Sequence, residues 1–295
     1  MGDKKVPQKV ILAYFSGTGC TKEVCDCFEE KLRKKGIDCK KINIAKSKHF
    51  DIGEADTLML FSPVYAFRLT SITEHWVKNL PVVNNKSAII ISVSGGGEIS
   101  PNTACRNYCK RQLKKKGYDV IYEKMLVMPS NFAVSAKEDL NISLLRVLPY
   151  KVEKIILDII AGKKNLTSPK IQDKMLSIIG KGEHFGARFF GASIRASQEC
   201  NKCGLCVRAC PKKNIRMEKG LPKFGFRCMW CLKCIYDCPR KALSPRILKF
   251  TVLNSGFELS KMKQKLYHES GRTENRYNRD VLWQGAIDYI REDEY

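Results

Sequence analysis

Besides residues 37–44, which suggest a strand, four short apolar runs recur along the first half of the chain: residues 9–15 (KVILAYF), 56–61 (DTLMLF), 87–94 (SAIIISVS) and 118–127. They lack sustained polar alternation, so they read as parallel strands covered on both faces. Helical spacing fills the gaps. Val24, Cys27, Phe28 and Leu32 share one face of a segment with basic residues in its last turn, and residues 70–80 and 101–116 are similarly spaced. Five strands alternating with helices predict an α/β fold with a doubly wound, five-stranded parallel sheet. Residues 144–161 read as the sheet's last helix, interrupted near Pro149, and residues 171–179 return to helical spacing. Gly180, Gly182, Gly186 and Gly191 then break any long helix, but they alternate with Phe185, Phe189, Phe190 and Ile194. A floppy tether would be polar between its glycines. Residues 171–196 therefore read as a connector packed between domains. Residues 241–252 are again apolar, and a polar stretch follows from Lys261 to Arg279. Residues 280–291 predict an amphipathic helix that docks through Leu282, Trp283, Ala286, Ile287 and Ile290.

In a doubly wound sheet, ligands bind beyond the carboxyl ends of the strands. Four loops at such ends carry candidate chemistry. The first is Ser16, Gly17, Thr18, Gly19, Cys20 and Thr21, between a strand and a helix start. Its backbone N–H groups and the helix dipole make an anion cradle, and the hydroxyls of Ser16, Thr18 and Thr21 suit a terminal phosphate monoester. The plainer reading is a Ser/Gly-rich turn that caps a helix. A Walker loop is absent, and a dinucleotide fingerprint would need a third glycine. The second loop is Ser62, Pro63, Val64, Tyr65, Ala66 and Phe67, whose aromatics could pack on a ring or belong to the core. The third, Ser94, Gly95, Gly96 and Gly97, allows close backbone approach, or is simply flexible. Asn131 and Phe132 are placed to close the pocket.

Eight of the 14 cysteines lie in two copies of C-x2-C-x2-C-x3-C-P: Cys200, Cys203, Cys206, Cys210 and Pro211, then Cys228, Cys231, Cys234, Cys238 and Pro239. Over about 45 residues this resembles the bacterial two-cluster ferredoxins, where the fourth cysteine of each motif ligates the other motif's cluster. The resemblance implies one [4Fe–4S] cluster on Cys200, Cys203, Cys206 and Cys238, and a second on Cys228, Cys231, Cys234 and Cys210. Each proline favours a turn away from the cluster. Zinc would want one set of four ligands rather than two interlocked sets. Every iron is capped by cysteine in this scheme, which suits electron transfer over substrate binding at iron. The first loop in turn resembles the FMN-phosphate loop of flavodoxins, [ST]-x-T-G-x-T, with Cys20 where asparagine is common.

The whole chain thus resembles the flavodoxin–ferredoxin fusion proteins of anaerobic bacteria, sometimes called EFR-type ferredoxins. That implies a flavodoxin-like domain over residues 1–165, a connector over 166–196, a small α+β two-cluster ferredoxin domain over 197–250 and a C-terminal helical extension over 251–295. It implies FMN and two [4Fe–4S] clusters as cofactors, and electron relay between one- and two-electron partners. The alternative is an FMN-dependent reductase of a quinone, nitro compound or other small acceptor, fed by its own clusters. No segment supplies a nicotinamide-binding domain.

Charge changes the picture of the partner. The net charge is +23, and residues 200–250 carry 13 Lys/Arg against Glu218 and Asp237 alone. The clusters and an FMN phosphate offset only part of this excess. It is either a solvated basic surface or a docking face for an acidic redox partner. Nucleic acid is not expected, because no recognised motif accompanies the charge. No run approaches the ~18 apolar residues of a membrane span. The N-terminus lacks a secretory apolar core, and Val6 holds the place where myristoylation needs Ser or Thr. Free thiols point to a reducing cytoplasm. His49, His75, His184 and His268 are too scattered to suggest a ligand set, and Cys20, Cys25, Cys27, Cys39, Cys105 and Cys109 read as small packed side chains.

Overall fold

A computed structural model describes residues 6–47, 52–268 and 281–292. His49, the polar stretch 269–279 and Asp280 lie outside these residues. Strands β1 (Lys9–Tyr14), β2 (Asp38–Asn43), β3 (Thr57–Tyr65), β5 (Lys86–Ser94) and β6 (Tyr118–Val127) form one parallel sheet in the order β2-β1-β3-β5-β6. The short β4 (Arg68–Leu69) folds back antiparallel onto the end of β3. Ala66 and Phe67 make that turn with φ of 42° and 62°. The strand order reverses between β1 and β3, so their carboxyl ends flank the topological switch point.

Alternate residues of each strand enter opposite cores. Leu12, Met59, Phe61, Ile89 and Ile91 pack against α1 (Cys20–Lys34) and α4 (Glu138–Ile160). Ile11, Leu58, Leu60, Ala88 and Ile90 face α2 (Ser71–Lys78) and α3 (Asn107–Lys115). Each buried Leu, Ile or Phe contributes about 1.5–3 kcal/mol, which explains why apolar runs without alternation mark these strands. The helix expected over 144–161 starts earlier, at Glu138, and runs through Pro149 without a break. Pro149 lies on the exposed side, so its ring displaces no core packing.

The connector is two helices, α5 (Ile171–Ile179) and α6 (Glu183–Ser193), joined by a 3-10 turn at Gly180–Gly182. Gly186 and Gly191 lie inside α6 rather than ending it. A Cβ on Gly191 would collide with Cys228, and one on Gly186 would touch the Trp230 ring at 3.5 Å. These glycines let α6 lie close on the cysteine-rich segment. Phe190 and Ile194 are buried there, whereas Phe185 and Phe189 are exposed.

The cysteine-rich segment carries helices α7 (Leu205–Ala209) and α8 (Lys233–Tyr236). Strand β7 (Arg195–Ala196) pairs with β10 (Leu243–Ser244), and β8 (Ile215–Glu218) with β9 (Leu221–Phe224). Its core joins Ile215, Phe224, Leu232, Ile235 and Leu243 to Phe190 and Ile194 of the connector. Beyond it, α9 (Leu259–His268) and α10 (Gln284–Arg291) pack on α4. A 3-10 turn at Val281–Trp283 replaces the first turn of the helix expected over 280–291. Trp283, Ala286, Ile287 and Ile290 dock as expected, and Tyr289 joins them, but Leu282 is exposed. Among the described residues, no helix is long and apolar enough to cross a membrane.

Candidate functional site

β1 delivers the chain to Ser16 at the switch point, and α1 starts four residues later. Ser16 Oγ accepts a hydrogen bond from Gly19 N at 3.1 Å, and Gly19 turns at φ 112°, a conformation that favours glycine. The first N–H groups of a helix have no intrahelical partner, so the opening of α1 is a ready donor set for an anion. Glu23 in that first turn would oppose an anion, but Lys263 of α9 pairs with it at 2.6 Å. Thr18 Oγ1 accepts from Asn131 Nδ2 at 2.6 Å, which ties the loop after β6 to the cradle. Burial pushes the Cys20 thiol up to about 12, so it is neutral beside the cradle.

Above the cradle opens a cleft of about 160 Å3. Of the residues expected here, Ser16, Gly17, Thr18, Cys20, Thr21, Pro63, Val64, Tyr65, Ala66, Ser94, Gly95, Asn131 and Phe132 line it. Gly19 shapes the loop without lining the cleft. Ser62 is buried behind it in a hydroxyl cluster with Thr73 at 3.0 Å and Thr70 at 3.5 Å. Phe67 stands off at the β3–β4 turn. Gly96 and Gly97 do bring bare backbone into close approach, but against α10: a Cβ on Gly97 would lie 3.2 Å from the Gly285 carbonyl oxygen. Sequence reasoning missed Val93, Met128, Pro129, Ser130 and Trp230, all of which line the cleft. The first four follow from carrying the third and fourth loops back by one to three residues towards their strands. Trp230 had no such signal, since it comes from the cysteine repeat.

That repeat lies directly on the cradle. A Cβ on Gly17 would sit 2.9 Å from the carbonyl oxygen of Cys231 and 2.7 Å from the Tyr65 hydroxyl. The Trp230 ring stands between Phe132 (centroids 5.5 Å apart) and Phe190 (5.1 Å), and its Nε1 donates to Thr251 Oγ1 at 3.3 Å. Tyr236 donates its hydroxyl to the Asn131 carbonyl at 2.8 Å and accepts from Leu253 N at 2.9 Å.

The eight cysteines fall into two groups around small hollows of about 20 Å3 each. Cys210, Cys228, Cys231 and Cys234 line one, and Cys200, Cys203, Cys206 and Cys238 the other. The two copies are built alike. Lys202, Gly204 and Lys213 of the first have positive φ, and so do Trp230, Leu232 and Lys241 at matching positions of the second. Backbone N–H groups of Asn214, Trp230 and Ala242 point at the sulfurs of Cys210, Cys228 and Cys238 at 3.2–3.4 Å. Burial pushes the Cys231 thiol up to about 12 and the Cys234 thiol well above the usual range. A metal ion bound at these sulfurs would deprotonate them outright.

Behind the sheet edge, Arg106 is buried with Glu123, pairs with the half-buried Glu98 and donates to Ser92 Oγ at 2.8 Å. Burial raises the Glu98 pKa, but the Arg106 charge outweighs it and holds the carboxyl below the usual range.

Residues 11–129 match the family model described as "Flavodoxin domain". Over these residues the chain is similar to a flavodoxin domain, with the sheet order and cradle above as the shared framework. A point mutant of Fusobacterium nucleatum flavodoxin, bound to flavin mononucleotide, is 18% identical; the match covers 54% of this chain and 98% of that one, with a TM-score of 0.39. For a point mutant of Pseudomonas aeruginosa flavodoxin the values are 12%, 52%, 98% and 0.40. For an NAD(P)H:quinone oxidoreductase from Methanothermobacter marburgensis they are 13%, 52%, 96% and 0.38. No curated protein matches the chain.

Proposed function

We propose that this chain is an electron-transfer protein that binds FMN in the cleft of its flavodoxin domain and one [4Fe–4S] cluster in each cysteine quartet. The observation that carries this reading is the shared wall: Trp230 lines the cleft while its neighbours Cys228 and Cys231 line a cysteine hollow. Electron transfer needs such short, fixed separations.

The residues fit the cofactors. For FMN there are the open donors at the start of α1, the hydroxyls of Ser16, Thr18 and Thr21, and the bare backbone of Gly17 and Gly95. For the clusters there are two quartets of thiols, walls that are almost wholly apolar, and N–H groups aimed at sulfur. Among the described residues no group of three or more His, Cys, Asp or Glu side chains is close-set enough to hold a metal ion, so the cluster reading rests on the cysteine repeat and the two hollows. Thiols around a four-iron cube stand further apart than thiols around one zinc ion. When bound, FMN exchanges one or two electrons and each cluster exchanges one, and the protein supplies position and electrostatics. Asn131 and Tyr236 hold the cleft and the cysteine segment in register, and α6 braces the Cys228 loop. The domain limits at about residues 165, 196 and 250 follow the resemblance, and the basic face over 200–250 suits an acidic redox partner in a reducing cytoplasm.

Anaerobic purification with iron, sulfide and flavin quantified together tests this. We expect about eight irons and eight sulfides with one flavin per chain. Colourless protein that carries zinc and no flavin would refute it.

A further inference from the structure

α5 is docked with its polar side inward. Asp173 and Ser177, one turn apart, are buried. Ser100 Oγ donates to Asp173 at 2.6 Å, Thr103 donates to its other oxygen, and Arg68 Nη1 donates to the Ser177 carbonyl at 2.8 Å. Gly180, one turn further, lies tight on the backbone of Ala66. The opposite side carries Ile171, Met175, Ile178 and Ile179, which are 75%, 60%, 62% and 67% exposed. Helical spacing puts these four on one stripe. A polar docking seam therefore holds an aliphatic ridge out in solvent, where soluble proteins seldom keep one without use.

The charge around the ridge selects its occupant. Residues 163–188 carry six Lys/Arg against Asp173, which is buried, and Glu183. Lys170 and Lys174 are exposed beside the ridge. A second copy would set these lysines against their equals, on a chain that already carries +23. A convex aliphatic row also needs no matching groove if it enters lipid, and lysines beside it can reach headgroups while their stems stay apolar. We propose that α5 is a membrane-surface anchor that seats on bilayers containing anionic lipid, with Ile171, Met175, Ile178 and Ile179 in the headgroup boundary. Lys170 and Lys174 supply the attraction to the lipid charge. The anchor lies on the surface and does not span it, and it does not depend on the cofactor assignment.

Full-length protein, purified with whatever cofactors it holds, tests the anchor by co-sedimentation with vesicles of phosphatidylcholine alone or mixed with phosphatidylglycerol. We expect binding to the mixed vesicles only, weakened by salt. Ile171→Glu with Ile178→Glu should lower the bound fraction at least about tenfold, with unchanged circular dichroism because both side chains are exposed. Lys170→Ala with Lys174→Ala should lower it less. Three results would overturn the anchor. The parent chain fails to bind the mixed vesicles, or the double Glu variant binds as well as the parent. Alternatively, the parent sediments as a dimer that the double Glu variant splits, which would give the ridge to a second copy.

Discussion

Replacing Gly17 with alanine should loosen the contact between the cradle and the cysteine-rich segment. The new Cβ would lie 2.7 Å from the Tyr65 hydroxyl, 2.9 Å from the Cys231 carbonyl oxygen and 3.3 Å from the Cys231 Cβ. The hydroxyl is the far end of a side chain and can swing aside. The carbonyl is backbone in a loop fixed by Trp230 on one side and Leu232 on the other, both already at positive φ. Relief therefore requires the two loops to part by a few tenths of an ångström. Overpacking of this kind typically costs about 1–3 kcal/mol. At this size each kcal/mol lowers a melting temperature by about 2–4 °C. Gly182→Ala is the control, since a Cβ there meets nothing within 4 Å. Both variants would be melted by circular dichroism and titrated with FMN. Gly17→Ala should melt lower and bind FMN more weakly than the control. If the two variants melt together, the loops are not in contact as described.

Three further outcomes are expected. Cys238→Ala should remove the cluster shared with Cys200, Cys203 and Cys206 and spare the other, halving the iron content; loss of the Cys228 cluster instead would reverse the ligand assignment. Trp230→Ala removes the contacts to Phe132 and Phe190. It should destabilise the protein towards the lower end of the roughly 3–5 kcal/mol seen for buried aromatics, and adding FMN to flavin-free protein should no longer quench a tryptophan signal that the parent loses. Glu98 titrates below its ordinary value in the folded chain, so its contribution is full above the ordinary carboxylate pKa and lost as pH falls through the depressed one. The stability gap between parent and Glu98→Gln should therefore be widest near neutral pH and close in acid, as urea melts across that range would show.

Much of the fold was legible in residue order because it is encoded locally. A buried parallel strand must be an apolar run, so β1, β3, β5 and β6 announce themselves, with β6 at the expected limits. The cradle is also local, since its hydroxyls, glycines and helix start lie within a few residues. The repeated cysteine spacing is local twice over, and the matching positive-φ positions in both copies follow from it. Pro149 shows where a local rule misleads. A proline ends a helix only if the lost hydrogen bond and the ring's bulk are not offset, and α4 is held on both sides of Pro149 by the core.

What residue order determined, then, was the main strands and helices of the first half and most candidate anion- and metal-binding residues, whereas α9, read as part of a polar stretch, and the short elements of the cysteine-rich segment were not marked in it. Which of these groups meet was decided only in three dimensions. Trp230 closes a cleft whose other walls lie about a hundred residues and more before it. Gly97 packs against α10, and α5 turns its polar side to β4 and the loop after β5 and its isoleucines outward. The physical reason is common to all three. Spacing along a chain governs which side chains share a face, but the identity of the opposite face depends on the packing of distant segments, and no local pattern records it.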